Sequence, residues 1–245
     1  MNNLKKAQAI MFEVLVEVDR ICQKYNIKYW LSSGTLLGAI RAKDFIAWDD
    51  DLDICMTKED YDNFLQIVQK ELPKNMFLQT NKTDKGFPYD IAKIRNNKGK
   101  IIEKHEANKN VKYNQDIFID IFPMILVSNS KLFRFYQKVH FLFVKLFTYK
   151  YLNIEYIRIY LVNLFYKFHN KNNNILINSA ALPDPNIYID KSYIFPLEKI
   201  EFHNQEFLAP NNSDKYLKTI YGDDYMIPPP EDKQHSHAFR IEIYE

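Results

Sequence analysis

The sequence predicts an α/β (α+β) fold: a small mixed β-sheet flanked by helices. Three observations lead there. A long amphipathic helical pattern opens the chain, short period-two runs follow it, and helix-forming stretches alternate with them rather than forming a block of their own. At 245 residues the chain is long enough for a single domain, 1–245, and no internal repeat divides it.

From Leu4 to Lys24 the apolar residues Leu4, Ala7, Ile10, Met11, Val14, Leu15, Val18, Ile21 and Cys22 fall at helical spacing with one wet face. "IKYWLSS" reads as a strand broken by Gly34, and "TLLGAIR" as a short helix packed behind it. "AKDFIAWD" is a loop and "DLDICM" a second strand. Thr57 followed by Asp60 forms a capping box that opens a helix from Lys58 to about Leu72, stopped by Pro73. "FPYDIAKIRNN" and "QDIFIDIF" are further strands. Residues 131–171 read as a helical insertion, dense in Phe, Tyr, Lys and Arg with Glu155 as its single acid. Beyond Ser192 come short strands, a helix near "DKYLKTIYG" and the proline-rich "IPPPEDKQHSH".

A composition of 47% hydrophobic and 26% charged residues with a net charge of +2 asks for no nucleic-acid partner. The two cysteines, Cys22 and Cys55, lie in apolar surroundings and read as small hydrophobes in a reducing compartment. The N-terminal apolar stretch carries acids, unlike a signal peptide, and no uncharged run is long enough to span a bilayer. A cytoplasmic protein is expected, with membrane contact at most peripheral.

The chemistry concentrates in "WDDDLDICM". On an extended chain Asp49, Asp51 and Asp53 share one face, while Asp50, Leu52 and Ile54 share the other. Like charges this close to a core require a counter-ion, and hard oxygen ligands suit Mg²⁺ or Mn²⁺. A calcium loop is excluded, because Ile54 stands where its sixth position needs Gly. In "QDIFIDIFP", Asp116, Phe118 and Asp120 share a face, so Asp120 on a neighbouring strand would complete a cage with Asp51 and Asp53. "SSGTLLG" turns from strand to helix and aims backbone N–H groups at one point, as a phosphate site does. Lys93 and Arg95 share a strand face, and Arg41 and Lys43 flank the loop; beside a metal they could hold a diphosphate.

The stretch "SGTLLGAIRAKDFIAWDDDLDI", with "IAKIRNN", "FIDIFP" and "YGDDYMIPPP" followed by His235 or His237, resembles the LicD family. These are phosphocholine transferases of bacterial surface glycans, related to the fukutin proteins and similar to the nucleotidyltransferase superfamily. The resemblance implies a nucleotidyltransferase-like sheet, with Asp51, Asp53 and Asp120 as ligands of Mg²⁺ and Asp49 as a supporting acid. It further implies that Ser33, Gly34, Thr35, Arg41, Lys93 and Arg95 hold the phosphates of a CDP-linked alcohol. The implied reaction transfers phosphocholine to a hydroxyl of a glycan or lipid-linked glycan and releases CMP. Ethanolamine, glycerol or ribitol head groups stay open, as do transfer of the nucleotide itself and a non-catalytic membrane scaffold. Residues 131–171 carry no part of the resemblance; their aromatic and basic character suits either a packed lobe or a helix in a bilayer interface.

Overall fold

The computed structural model describes residues 3–107, 109–146, 164, 167–179 and 186–244. The predicted architecture holds: a curled, mainly antiparallel sheet flanked by helices. Helix α1 (Asn3–Tyr25) buries the predicted stripe from Ala7 to Cys22 and packs across β4 (Ala92–Glu103), β5 (Asp116–Val127) and β10 (Ala238–Ile243). Strand β1 (Trp30–Leu31) leads into α2 (Ser33–Ala42), and β2 (Asp53–Thr57) into α3 (Lys58–Glu71). The capping box at α3 is present: Thr57 Oγ1 accepts from Asp60 N–H and donates to the Asp60 carboxylate at 2.7 Å.

The sheet runs β1–β2–β5–β4–β10, with β3 (Met76–Gln79) on β4 and β6 (Ile175–Asn178) on β5; β6 also pairs with β7 (Ile189–Asp190). Every pairing is antiparallel except β2 with β5, whose parallel register sets Asp53 beside Asp120. Ile117, Ile119 and Ile121, on the opposite face of β5 from Asp120, are fully buried in one core with Ile54, Met56 and the α1 stripe. Each such side chain contributes about 1.5–3 kcal/mol by leaving water, so this face fixes the register and the other is free to carry polar groups. After α4 (Lys131–Leu146) and the short α5 (Lys191–Ile194), a hairpin of β8 (Glu198–Phe202) and β9 (Gln205–Ala209) precedes α6 (Ser213–Tyr221).

Several element bounds differ from the expectation. Asp51 and Leu52 extend the loop rather than opening the strand, and β2 begins only at Asp53. Strand β4 continues through the polar "NNKGK", because β10 arrives from the far end of the chain to pair with it, which no local pattern reveals. Of 131–171, α4 covers the first part, whereas 167–171 are turn and loop. Residues 147–163 and 165–166 lie outside the described residues.

Candidate active site

Three adjacent strands bring charge into one row. Asp53 on β2 is the register partner of Asp120 on β5, and Asp120 is the partner of Lys93 on β4. The Lys93 ammonium lies 3.0 Å from Asp120 Oδ1 and 3.2 Å from Oδ2, and 3.4 Å from the centre of the Phe118 ring. Its hydrogen bond is directed at Oδ2, which leaves Oδ1 buried without one. The Asp53 carboxylate accepts no hydrogen bond from any described residue.

The loop before β2 carries the remaining acids against the start of α2. Gln8 Nε2 anchors it by donating to the carbonyls of Asp49 at 2.8 Å and Ile46 at 3.2 Å. Gly34 is required here: a Cβ at that position would sit 2.5 Å from Asp49 Oδ2. The Asp49 carboxylate thus lies against the N-terminal turn of α2, where the helix favours negative charge. Thr35 Oγ1 accepts from Asp53 N–H at 2.8 Å, tying α2 to the first residue of β2. Asp50 turns inward, as the alternation predicts, and its Oδ1 accepts from His237 N–H at 2.7 Å, while the His237 ring lies 3.7 Å from Asp51.

The electrostatics of this cluster leave negative charge under-compensated. Burial, then Asp51, pushes the Asp49 carboxyl up to about 8, and Asp49 hydrogen-bonds to Asp51. Burial also acts on Asp51, but His237 and Asp49 overcome it and hold that carboxyl below its ordinary value. Burial and the fields of Asp51 and Asp120 push Asp53 well above the usual range. Asp120 rises to about 6, because burial outweighs Lys93. The Asp120 Oδ1, buried without a hydrogen bond, and the half-buried Asp53 carboxylate beside it are what a divalent cation would satisfy, and an all-oxygen donor set suits Mg²⁺ or Mn²⁺. The residues present fit that ion. Their carboxylates do not yet close on a single point: among the described residues only Glu103, His105 and Glu106 bring three ligand atoms within 4.8 Å of one another. Glu106 in that trio is committed to Tyr113, to Gln115 at 2.8 Å and to the Glu103 N–H at 3.2 Å, which is a structural role.

Two results are expected. Folded Asp49 and Asp120, at about 8 and about 6, bind protons more readily than their unfolded forms with ordinary values of 3.8. Their stabilisation is whole below that value and is lost as pH rises through 6 and then 8. His237, raised by Asp51 to about 9 from 6.5, loses its contribution in the same direction. The melting temperature in EDTA should therefore fall between about pH 4 and pH 9, and Mg²⁺ should restore most of the loss. A flat or rising profile in EDTA would contradict the cluster as described. Separately, Lys93→Met leaves Asp120 buried and unpaired, which should lower stability in urea denaturation by about 3–5 kcal/mol, and by less with Mg²⁺ present.

The other expected phosphate contacts divide. Ser33, in left-handed backbone (φ 46°), lies at the mouth of a cleft beside the carboxylates. Arg41 holds the tail, donating to the carbonyls of Tyr225 and Ile227. Lys43 pairs with Glu201 at 2.6 Å. Arg95 is only 3% exposed; it donates to Gln79 at 2.7 Å and to the Asp116 carbonyl at 2.6 Å, and it stacks on Phe118 behind the row. Sequence reasoning assigned no role to Tyr221, at the end of α6. Burial and the charges of Asp53, Asp49 and Asp51 raise its phenol, although the residue is 43% exposed. Its signal was the "YGDDY" run, whose partner residues lie far away in the chain.

Comparison with known proteins agrees with this geometry. The family model described as LicD/FKTN/FKRP, nucleotidyltransferase domain, matches residues 26–141, which reaches into the segment left outside the motif resemblance. The lipopolysaccharide cholinephosphotransferase LicD of Haemophilus influenzae is 27% identical over 96% of this chain and 96% of its own length. Uncharacterised proteins of Rickettsia typhi and Rickettsia prowazekii are 45% and 44% identical over 64 residues, which is 26% of this chain and 20% and 24% of theirs. The chain contains a LicD-family nucleotidyltransferase domain, spanning residues 26–141.

Proposed function

We propose that this protein transfers a phospho-alcohol, phosphocholine foremost, from a CDP-linked donor to a hydroxyl of a surface glycan or glycolipid and releases CMP. One observation carries the reading: the parallel register that sets Asp53 beside Asp120, whose Oδ1 is buried without a hydrogen bond. The likeness to a lipopolysaccharide cholinephosphotransferase along nearly the whole chain supports choline as the head group and lipopolysaccharide as the acceptor class.

Asp51, Asp53 and Asp120 would hold Mg²⁺, or Mn²⁺ in its place, and the ion would neutralise the diphosphate of the donor. The chain's own residues do the rest. Lys93 keeps Asp120 ionised and oriented. His237 and Asp50 pin the tail across the acidic loop. The acceptor hydroxyl attacks the distal phosphorus in line as the bond to CMP breaks and CMP leaves with the bonding electrons. Asp49, raised towards neutrality, has the basicity suited to take the hydroxyl proton near physiological pH.

A lipid-linked acceptor would bring the enzyme to the cytoplasmic face of a membrane. Among the described residues no helix is long and apolar enough to cross one. Helix α4 exposes Leu132, Phe135 and Leu142 beside Lys131, Arg134 and Lys138 and has no acid, a pattern suited to an anionic bilayer interface. Co-sedimentation with phosphatidylglycerol vesicles should fall in Phe135→Ser/Leu142→Ser; equal binding by this variant would remove α4 from the account.

The function is tested by incubating the protein with CDP-choline, Mg²⁺ and lipopolysaccharide lacking phosphocholine, then weighing the product by mass spectrometry. Gain of one phosphocholine group supports the reading. Gain of a nucleotide would establish a nucleotidyltransferase instead, and an unmodified acceptor with no CMP released would favour the scaffold.

A further inference from the structure

We infer that the cleft beside Ser33 seats the nucleobase of the donor, an uncharged pyrimidine, rather than its alcohol head group or the acceptor sugar. The inference rests on the proposed function and names what one part of that site recognises.

The cleft, of about 180 Å³, is lined by Ser33, Cys55, Phe122, Asn178, Tyr216 and Ile220 among others. Cys55 and Phe122 are register partners, as Asp53 and Asp120 are, one same-face step farther along the β2–β5 pair. That step is about 7 Å, so the cleft opens on the face that carries the carboxylates, at a distance a ribose can bridge. Ser33, at the start of α2, lines the cleft.

The lining decides the occupant. It contains no Asp, Glu, Lys or Arg. A quaternary ammonium is held by several open aromatic faces or by a carboxylate. Here Tyr216 is 1% exposed, with its hydroxyl engaged by Ser32 at 2.7 Å and by Trp30 Nε1 at 3.2 Å, so Phe122 offers the one open ring. A sugar would meet the apolar side chains of Met124, Ile187, Ile189 and Ile220 along part of the wall. A flat heterocycle matches both parts: its face against Phe122 and the isoleucines, its polar edge towards the Ser33 hydroxyl.

Calorimetry with Mg²⁺, using CMP and phosphocholine as separate probes, tests the assignment. Ile220→Trp, which fills the cleft from α6, should weaken CMP binding about tenfold or more and leave phosphocholine binding unchanged. Ile187→Trp fills it from the segment before β7 and should do the same, so the test survives if one variant fails to fold. Loss of phosphocholine binding with CMP binding intact would reassign the cleft to the head group and overturn the inference. So would unchanged binding of both probes. CMP release from CDP-choline by the wild type separates the two levels: turnover with unaltered CMP affinity in the filled variants sinks the subsite alone, whereas a wild type that neither binds CMP nor releases it sinks both.

Discussion

Asp53→Asn should lower turnover by about three powers of ten or more, while the protein stays as stable as before or becomes more so. The two halves of this expectation share a cause. Asp53 begins β2 beside Asp120, and burial with the fields of Asp51 and Asp120 disfavours its charge. No described residue donates to it, so an amide of the same shape breaks no hydrogen bond and removes one of several crowded charges. Without a cation, neutralising Asp53 relieves the fold. With one, it removes a ligand from the centre of the row. The variant should therefore melt higher than wild type in EDTA near pH 8 and lose the stabilisation that Mg²⁺ gives. An Asp53→Asn protein with wild-type turnover, or one stabilised by Mg²⁺ as wild type is, would contradict the role assigned to the row.

Gly34→Ala is the second large effect, and it acts through shape. The new Cβ would stand 2.5 Å from Asp49 Oδ2, so one of the two must move. Asp49 cannot retreat with its backbone, because Gln8 holds that carbonyl at 2.8 Å and the carbonyl of Ile46 at 3.2 Å. Its side chain must instead rotate away from α2 and from Asp51. A displacement of this size next to reacting atoms is worth about a hundredfold in rate. Stability should change little, since Ala gains about 1 kcal/mol over Gly inside a helix and offsets part of the strain. The double variant separates the mechanism from general damage: in an Asp49→Ala background, Gly34→Ala should cost almost nothing further. A full additional hundredfold loss there would show that Gly34 acts on something other than Asp49.

The carboxylates were legible before any coordinates, because an acid in an apolar strand is expensive and period-two alternation says which acids share a face. Asp53 and Asp120 needed only that rule and the assumption of neighbouring strands. The α1 stripe and the Thr57 cap were legible for the same kind of reason, as both are set by residues within a few positions of each other. What escaped depends on partners distant in sequence. Strand β4 extends through polar residues only because β10 pairs with it. Arg95 looks like a surface cation until Gln79 and the Asp116 carbonyl, on β3 and β5, draw it inward. Arg41 holds the tail, a role visible only once α2 meets the loop after α6. Thr35, expected beside the phosphates, also fixes Asp53 N–H, a contact that no local pattern reveals. The cleft has no motif, since its walls come from α2, β2, β5, β6, β7 and α6 and the residues beside them.

The measurement that bears most directly on the central claim is CMP release from CDP-choline by the purified protein with Mg²⁺, followed by chromatography. The account predicts steady release that stops on addition of EDTA, resumes when Mg²⁺ is restored, and is absent in Asp53→Asn. Release that persists in EDTA or in Asp53→Asn would contradict it.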